Sequence, residues 1–115
     1  MIKISGLKNC DSCKKAVKWT KAEGLPAVFR DIRADPVSME EVKRWGGAVG
    51  FDVLVNKAST TWRGLSDAEK AEALGEGAAS LLVEYPTLIK RPIFEVGDVT
   101  LVGFKAAQQT ALKAL

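Results

Sequence analysis

The sequence predicts a single α/β domain, residues 1–115, in which a βαβ half and a ββα half are separated by inserted helices, about 36–86. Three observations carry that prediction. A short apolar strand pattern, a helical pattern and a second strand pattern follow one another up to Ile32, the spacing of a right-handed βαβ crossover. Two helix-start signatures then open a helical middle. Finally, two strand patterns flank a Gly97-Asp98 turn and lead into a last helix.

Each element has its own local reason. Ile2 to Ser5 reads as a short strand. Asn9-Cys10-Asp11-Ser12 opens a helix running to about Glu23, with Cys13, Ala16, Val17 and Thr20 on its buried face. Gly24 ends that helix and Pro26 forbids its continuation. Ala27 to Ile32 is the second strand. Ser38-Met39-Glu40-Glu41 is a capping box leading into Val42, Trp45 and Val49; Ser66-Asp67-Ala68-Glu69 is another, opening a helix toward Leu74. Gly75 and Gly77 punctuate, Ala78 to Glu84 is a further helix, and Pro86 closes the section. Ile93 to Val96 and Thr100 to Val102 form the hairpin. Ala106 to Leu115 is the last helix, with Ala107, Ala111, Leu112 and Leu115 as its buried positions.

Composition narrows the function classes. An apolar fraction of 47% supports one globular core. No stretch approaches the ~20 apolar residues that span a bilayer. Met1 to Gly6 lacks the apolar run of a signal peptide, which places the chain in the cytoplasm, where free thiols persist. The net charge of +3 is mild and its lysines are spread as a solvated helix face (Lys14, Lys15, Lys18, Lys21), so no direct nucleic-acid binding is expected. With no histidine, Ser-His-Asp and Cys-His catalysis and His-ligated metals fall away; no phosphate-binding glycine loop is present either.

What remains is Cys10-Asp11-Ser12-Cys13, a CxxC motif between a strand and a helix. A thiol at a helix N-terminus faces unpaired backbone N–H groups and the positive end of the helix dipole, both of which favour the thiolate. Cys10, outermost, is the expected nucleophile. Cys13 lies one turn on, close enough to resolve a mixed disulfide on Cys10, while its place on the apolar face equally suits a buried core cysteine. Two sulfurs do not close a zinc site, so no metal is expected.

Longer segments carry a resemblance. Gly6-Leu7-Lys8-Asn9-Cys10-Asp11 with Lys14-Lys15-Ala16, then Leu54-Val55-Asn56-Lys57, Thr60-Thr61-Trp62-Arg63, Tyr85 through Ile93 (with Ile89-Lys90-Arg91-Pro92-Ile93), and Leu101-Val102-Gly103-Phe104 resemble the arsenate reductase (ArsC) family over essentially the full length. The likeness is greatest to its YffB-like branch, with the Spx branch a near relation. It implies a thioredoxin-like fold with a helical insertion. It implies that Arg91 projects toward Cys10 beside a cis Pro92; Asn9, Asn56 and Arg63 complete the candidate substrate-binding set, Arg63 as a further source of positive charge or, on its other reading, an exposed or helix-capping residue. It also implies a thiol-dependent reductase that binds no cofactor and uses glutathione as co-substrate, with glutaredoxin or thioredoxin as partner and a small anionic or disulfide substrate. Where the family's arsenate reductases gather three arginines, this chain has Asn56 and Gly103 at two of the positions and keeps Arg91, which disfavours arsenate itself. The alternative implied by the Spx branch is a regulator that binds RNA polymerase through a Cys10–Cys13 disulfide switch.

Overall fold

A computed structural model describes residues 1–115 and divides them into two compact units. The first comprises Met1–Asp35 and Arg91–Leu115, the second Pro36–Lys90.

The first unit is built on a four-stranded sheet of β1 (Ile2–Gly6), β2 (Ala27–Asp31), β3 (Ile93–Val96) and β4 (Val99–Val102) in the order β2-β1-β3-β4. β1 runs parallel to β2, joined through helix α1 (Asp11–Ala22), and antiparallel to β3. β3 and β4 pair as a hairpin in which Val96 faces Val99. Its two-residue turn needs a glycine first: Gly97 has φ 57°, the Gly-first pattern of a type II′ turn, whose twist matches that of the strands.

Register explains the core. Phe29, Ile4, Phe94 and Leu101 are successive partners across all four strands, so they form one row on one sheet face. Ile4 and Phe94 join Ile2, Ala16 of α1 and Leu112 of the terminal helix α7 (Ala106–Ala114) in a single buried cluster. Trp19 meets the Phe104 ring edge-on at 5.7 Å, and Phe94 meets it at 6.0 Å. This βαβ-plus-ββα arrangement is the thioredoxin-like fold. α7 differs from its sequence expectation: Leu112 is buried and Ala111 partly so, but Ala107 and Leu115 are exposed. Ala107 falls in the first helical turn and Leu115 just beyond the last, so only a narrow stripe of this short helix meets the cluster.

The second unit is helical: α2 (Met39–Val49), α3 (Phe51–Leu54), α4 (Thr60–Arg63), α5 (Asp67–Ala73), α6 (Ala78–Glu84) and a single 3₁₀ turn, Pro86–Leu88. Both capping boxes form. Ser38 Oγ accepts from Glu41 N–H at 3.1 Å, Ser66 Oγ accepts from Glu69 N–H at 3.1 Å, and each glutamate accepts from the cap N–H in return. α2 packs on α6, and α5 also packs on α6. Trp45, Val42, Leu54, Leu82 and Leu88 are fully buried. The C-terminal end of this unit is tied to its middle by a bridge between Val55 and Ile89 and by hydrogen bonds from Asn56 N–H to the Leu88 carbonyl and from Lys90 N–H to the Leu54 carbonyl, both 2.8 Å. No helix is long and apolar enough to cross a membrane.

Candidate active site around Cys10

The chain leaves β1 at Gly6 and reaches α1 through a tight turn closed by Cys10 N–H on the Leu7 carbonyl, 3.1 Å. That turn sets Cys10 as the N-cap, with extended φ −85° and ψ 123°, while its carbonyl accepts the first helical bond from Lys14 N–H at 2.9 Å. An N-cap side chain points back over the unpaired amides of the first turn. Cysteine holds this place instead of the usual serine or aspartate, and no capping bond closes on the neutral thiol. The anion is what the surroundings favour. Partial burial pushes the Cys10 thiol up, but the Cys13 backbone N–H, the Cys13 thiol and the Arg91 guanidinium, by hydrogen bond and by charge, outweigh it and hold the thiol below its ordinary range.

Arg91 comes from the other half of the sheet unit. The Arg91–Pro92 peptide is cis and leads directly into β3. Pro92 is buried and its carbonyl accepts from Gly103 N–H at 2.8 Å, so the peptide is anchored to the end of β4. The open end of the β3–β4 hairpin therefore fixes where the Arg91 backbone stands.

Cys13 has the opposite environment. It is 1% exposed, and its sulfur packs against Gly6, where any Cβ would collide with it. Burial, reinforced by the neighbouring Cys10 sulfur, pushes its thiol up to about 12, against weaker help for the anion from the Leu7 backbone N–H. Both cysteines are free thiols.

Around Cys10 lies a cleft of about 160 Å³ lined by Leu7, Lys8, Asn9, Cys10, Asp31, Arg33 and Arg91, all from the sheet unit. The residues following β1 and β2 meet here because the two strands are parallel and end on the same edge, the usual place for ligands in such sheets. Three cations face one carboxylate. Adjoining the cleft at Leu7 and Lys8, an apolar groove of about 320 Å³ runs over Leu7, Cys13, Val17 and Phe29 between Lys8, Lys14, Lys18 and Lys21.

Of the residues singled out from sequence, Asn9, Cys10 and Arg91 share the cleft, with Cys13 one turn on and Pro92 next in the chain. Asn56 and Arg63 belong to the helical unit. The Asn56 Oδ1 accepts from Ala58 N–H at 3.1 Å, organising the turn into α4, and Arg63 is exposed in the last position of α4. Sequence reasoning passed over Lys8, Asp31 and Arg33. The signal was available in the predicted βαβ unit, since residues just after two parallel strands fall at one edge.

Comparison with known proteins agrees with this geometry. The ArsC family model matches residues 6–112. An uncharacterized protein of Haemophilus influenzae is 40% identical over 111 residues, 96% of this chain and 97% of its own length. The global transcriptional regulator Spx of Bacillus subtilis is 28% identical over 95 residues, 81% of this chain and 72% of Spx. A solved structure named YffB superposes with a TM-score of 0.90 at 36% identity, covering 97% of this chain and 98% of its own. With the family model spanning nearly its whole length and the fold and the cysteine-bearing turn in place, this chain belongs to the ArsC family.

Proposed function

We propose that the protein is a thiol-dependent oxidoreductase of the cytoplasm in which Cys10 attacks a disulfide and Cys13 resolves the product. The observation that carries this reading is the opposite tuning of the two thiols, Cys10 drawn toward the thiolate beside Arg91 and Cys13 held protonated by burial. A low-pKa, partly exposed thiol is the attacker's profile. The Cys10 thiolate displaces one half of the substrate disulfide as a thiolate, forming a mixed disulfide; water protonates the leaving group. Cys10 is then neutral, which removes its contribution to the high Cys13 pKa, so Cys13 ionises more readily after the first step than before it. Cys13 attacks the Cys10 sulfur, releases the second thiolate and closes a Cys10–Cys13 disulfide. Two molecules of glutathione, or a glutaredoxin or thioredoxin, return the pair to dithiol. Arg91 holds the Cys10 sulfur toward its thiolate, and Asn9 stands at the cleft rim.

Intact mass after incubation with glutathione disulfide tests the scheme. Wild type should gain an internal disulfide, Cys13→Ser should trap one glutathione, and Cys10→Ser should gain neither. A wild type left unmodified at neutral pH would refute the proposal. The similarity to Spx favours a second reading, a redox switch that binds RNA polymerase; oxidised and reduced protein binding the polymerase equally would dismiss it.

A further inference from the structure

We propose that Lys8 and Arg33 form an anion seat beside Cys10 that makes the protein select carboxylate-bearing disulfides over neutral ones; this rests on the thiol chemistry proposed above and assigns its substrate class.

The seat follows from the topology. Lys8 stands in the β1–α1 turn and Arg33 in the turn after β2, on the same edge of the sheet. That second turn is held at several points. Ile32 N–H donates to the Gly6 carbonyl at 2.9 Å, Asp35 N–H to the Asp31 carbonyl at 2.9 Å, and Arg30 Nε to both the Asp35 carbonyl and carboxylate at 3.1 Å. Asp31 is the one carboxylate on the cleft, and its Oδ1 accepts from Arg33 backbone N–H at 2.8 Å. Asp31 offsets one of the three cations Lys8, Arg33 and Arg91, and the cleft keeps an excess of positive charge.

The division of labour is chemical. Arg91 acts on the Cys10 sulfur itself, so its charge is committed to the nucleophile. Lys8 and Arg33 are exposed side chains on the cleft wall, suited to groups that lie beyond the reacting sulfur. A disulfide with carboxylates well out from its sulfurs, as in glutathione disulfide, brings negative charge that these two cations can meet. A neutral disulfide such as hydroxyethyl disulfide undergoes the same exchange with nothing for them to hold. Because Lys8 and Arg33 come from turns other than those bearing Asn56 and Gly103, the chain carries cations at its nucleophile that the positions compared within the family do not reveal.

Stopped-flow rates of Cys10 adduct formation with glutathione disulfide and with hydroxyethyl disulfide, in a Cys13→Ser background, test this through their ratio. Dividing one rate by the other cancels changes in Cys10 nucleophilicity. Exposed charge pairs are individually weak, so Lys8→Gln and Arg33→Gln should each lower the ratio about threefold, and the double variant about tenfold. Raising the salt concentration should lower the wild-type ratio toward that of the double variant. A ratio unchanged in the double variant, or a salt-independent one, overturns the anion seat while leaving the thiol chemistry standing. A wild type that forms no adduct with either disulfide brings down the thiol chemistry itself, and the seat with it.

Discussion

The walls around Cys10 and those around Cys13 lie three residues apart in the chain and differ in nearly every physical respect. The Cys10 cleft is polar and cationic, and its thiol is only partly covered. The Cys13 sulfur is pressed onto Gly6 beneath an apolar groove and sees almost no water. One helical turn is enough to carry a side chain from the rim of a cleft to the floor of a core, because Cys10 is the N-cap, outside the helix, and Cys13 lies on the buried face of α1. On the scheme proposed above, a CxxC motif at a helix start separates attack from resolution by burial. The outer sulfur keeps charge at low cost, and the inner one stays neutral until its neighbour has reacted.

That contrast can be broken from either side. The largest effect should come from Cys10→Ser. It removes the attacker and leaves Cys13 unreactive toward disulfides and alkylating agents at neutral pH, because burial is the leading cause of the high Cys13 pKa and persists. Rapid alkylation of Cys13 in that variant would contradict the assignment. Next is Arg91→Gln, which should slow reaction with glutathione disulfide about tenfold or more through loss of a charge-assisted bond. The pH profile gives the sign. A thiol whose pKa is lowered is already thiolate at lower pH, so alkylation of Cys10 should rise and level off below the pH of an ordinary cysteine, and Arg91→Gln should move that midpoint upward.

Smaller effects sharpen the inner side. Gly6→Ala puts a methyl group where the Cys13 sulfur lies, and overpacking of this kind should cost about 1–3 kcal/mol in denaturant unfolding. It should also slow closure of the Cys10–Cys13 disulfide more than formation of the first adduct. Smallest, Ser66→Ala removes one capping box of the helical unit and should cost about 1 kcal/mol while leaving both thiol reactivities as they are.

Much of this was legible before any coordinates. Signals that act over one turn of chain or less survive translation into structure, because few competing contacts can override them. The two capping boxes form as read, Ala78–Glu84 is helical to the residue, Gly24 takes φ 69° just after α1, and Gly97-Asp98 turns the hairpin. The four-residue helices α3 and α4 escaped notice because one turn has no periodicity to detect, although Ser59 caps α4 by accepting from Trp62 N–H at 3.1 Å. Of the positions expected to be buried in α7, Leu112 is and Ala111 partly so, whereas Ala107 and Leu115 are exposed, because only packing against the Ile4–Phe94 row decides which positions of so short a helix are covered.

The sequence by itself determined the order of the strands and of the helices longer than one turn, the place of Cys10 at a helix start, and the family, since each is written in local spacing and in contiguous motifs. Tertiary structure alone decided how the thiols differ. Cys13 is held protonated because a glycine at the end of β1 leaves room for its sulfur in the core, and Cys10 is drawn toward its anion by an arginine eighty-one positions away that β3 carries back to it. The gathering of Lys8, Arg33 and Arg91 on one cleft is of the same kind. Electrostatic environment depends on distance through space and on exclusion of water, and neither is a property of neighbours in sequence.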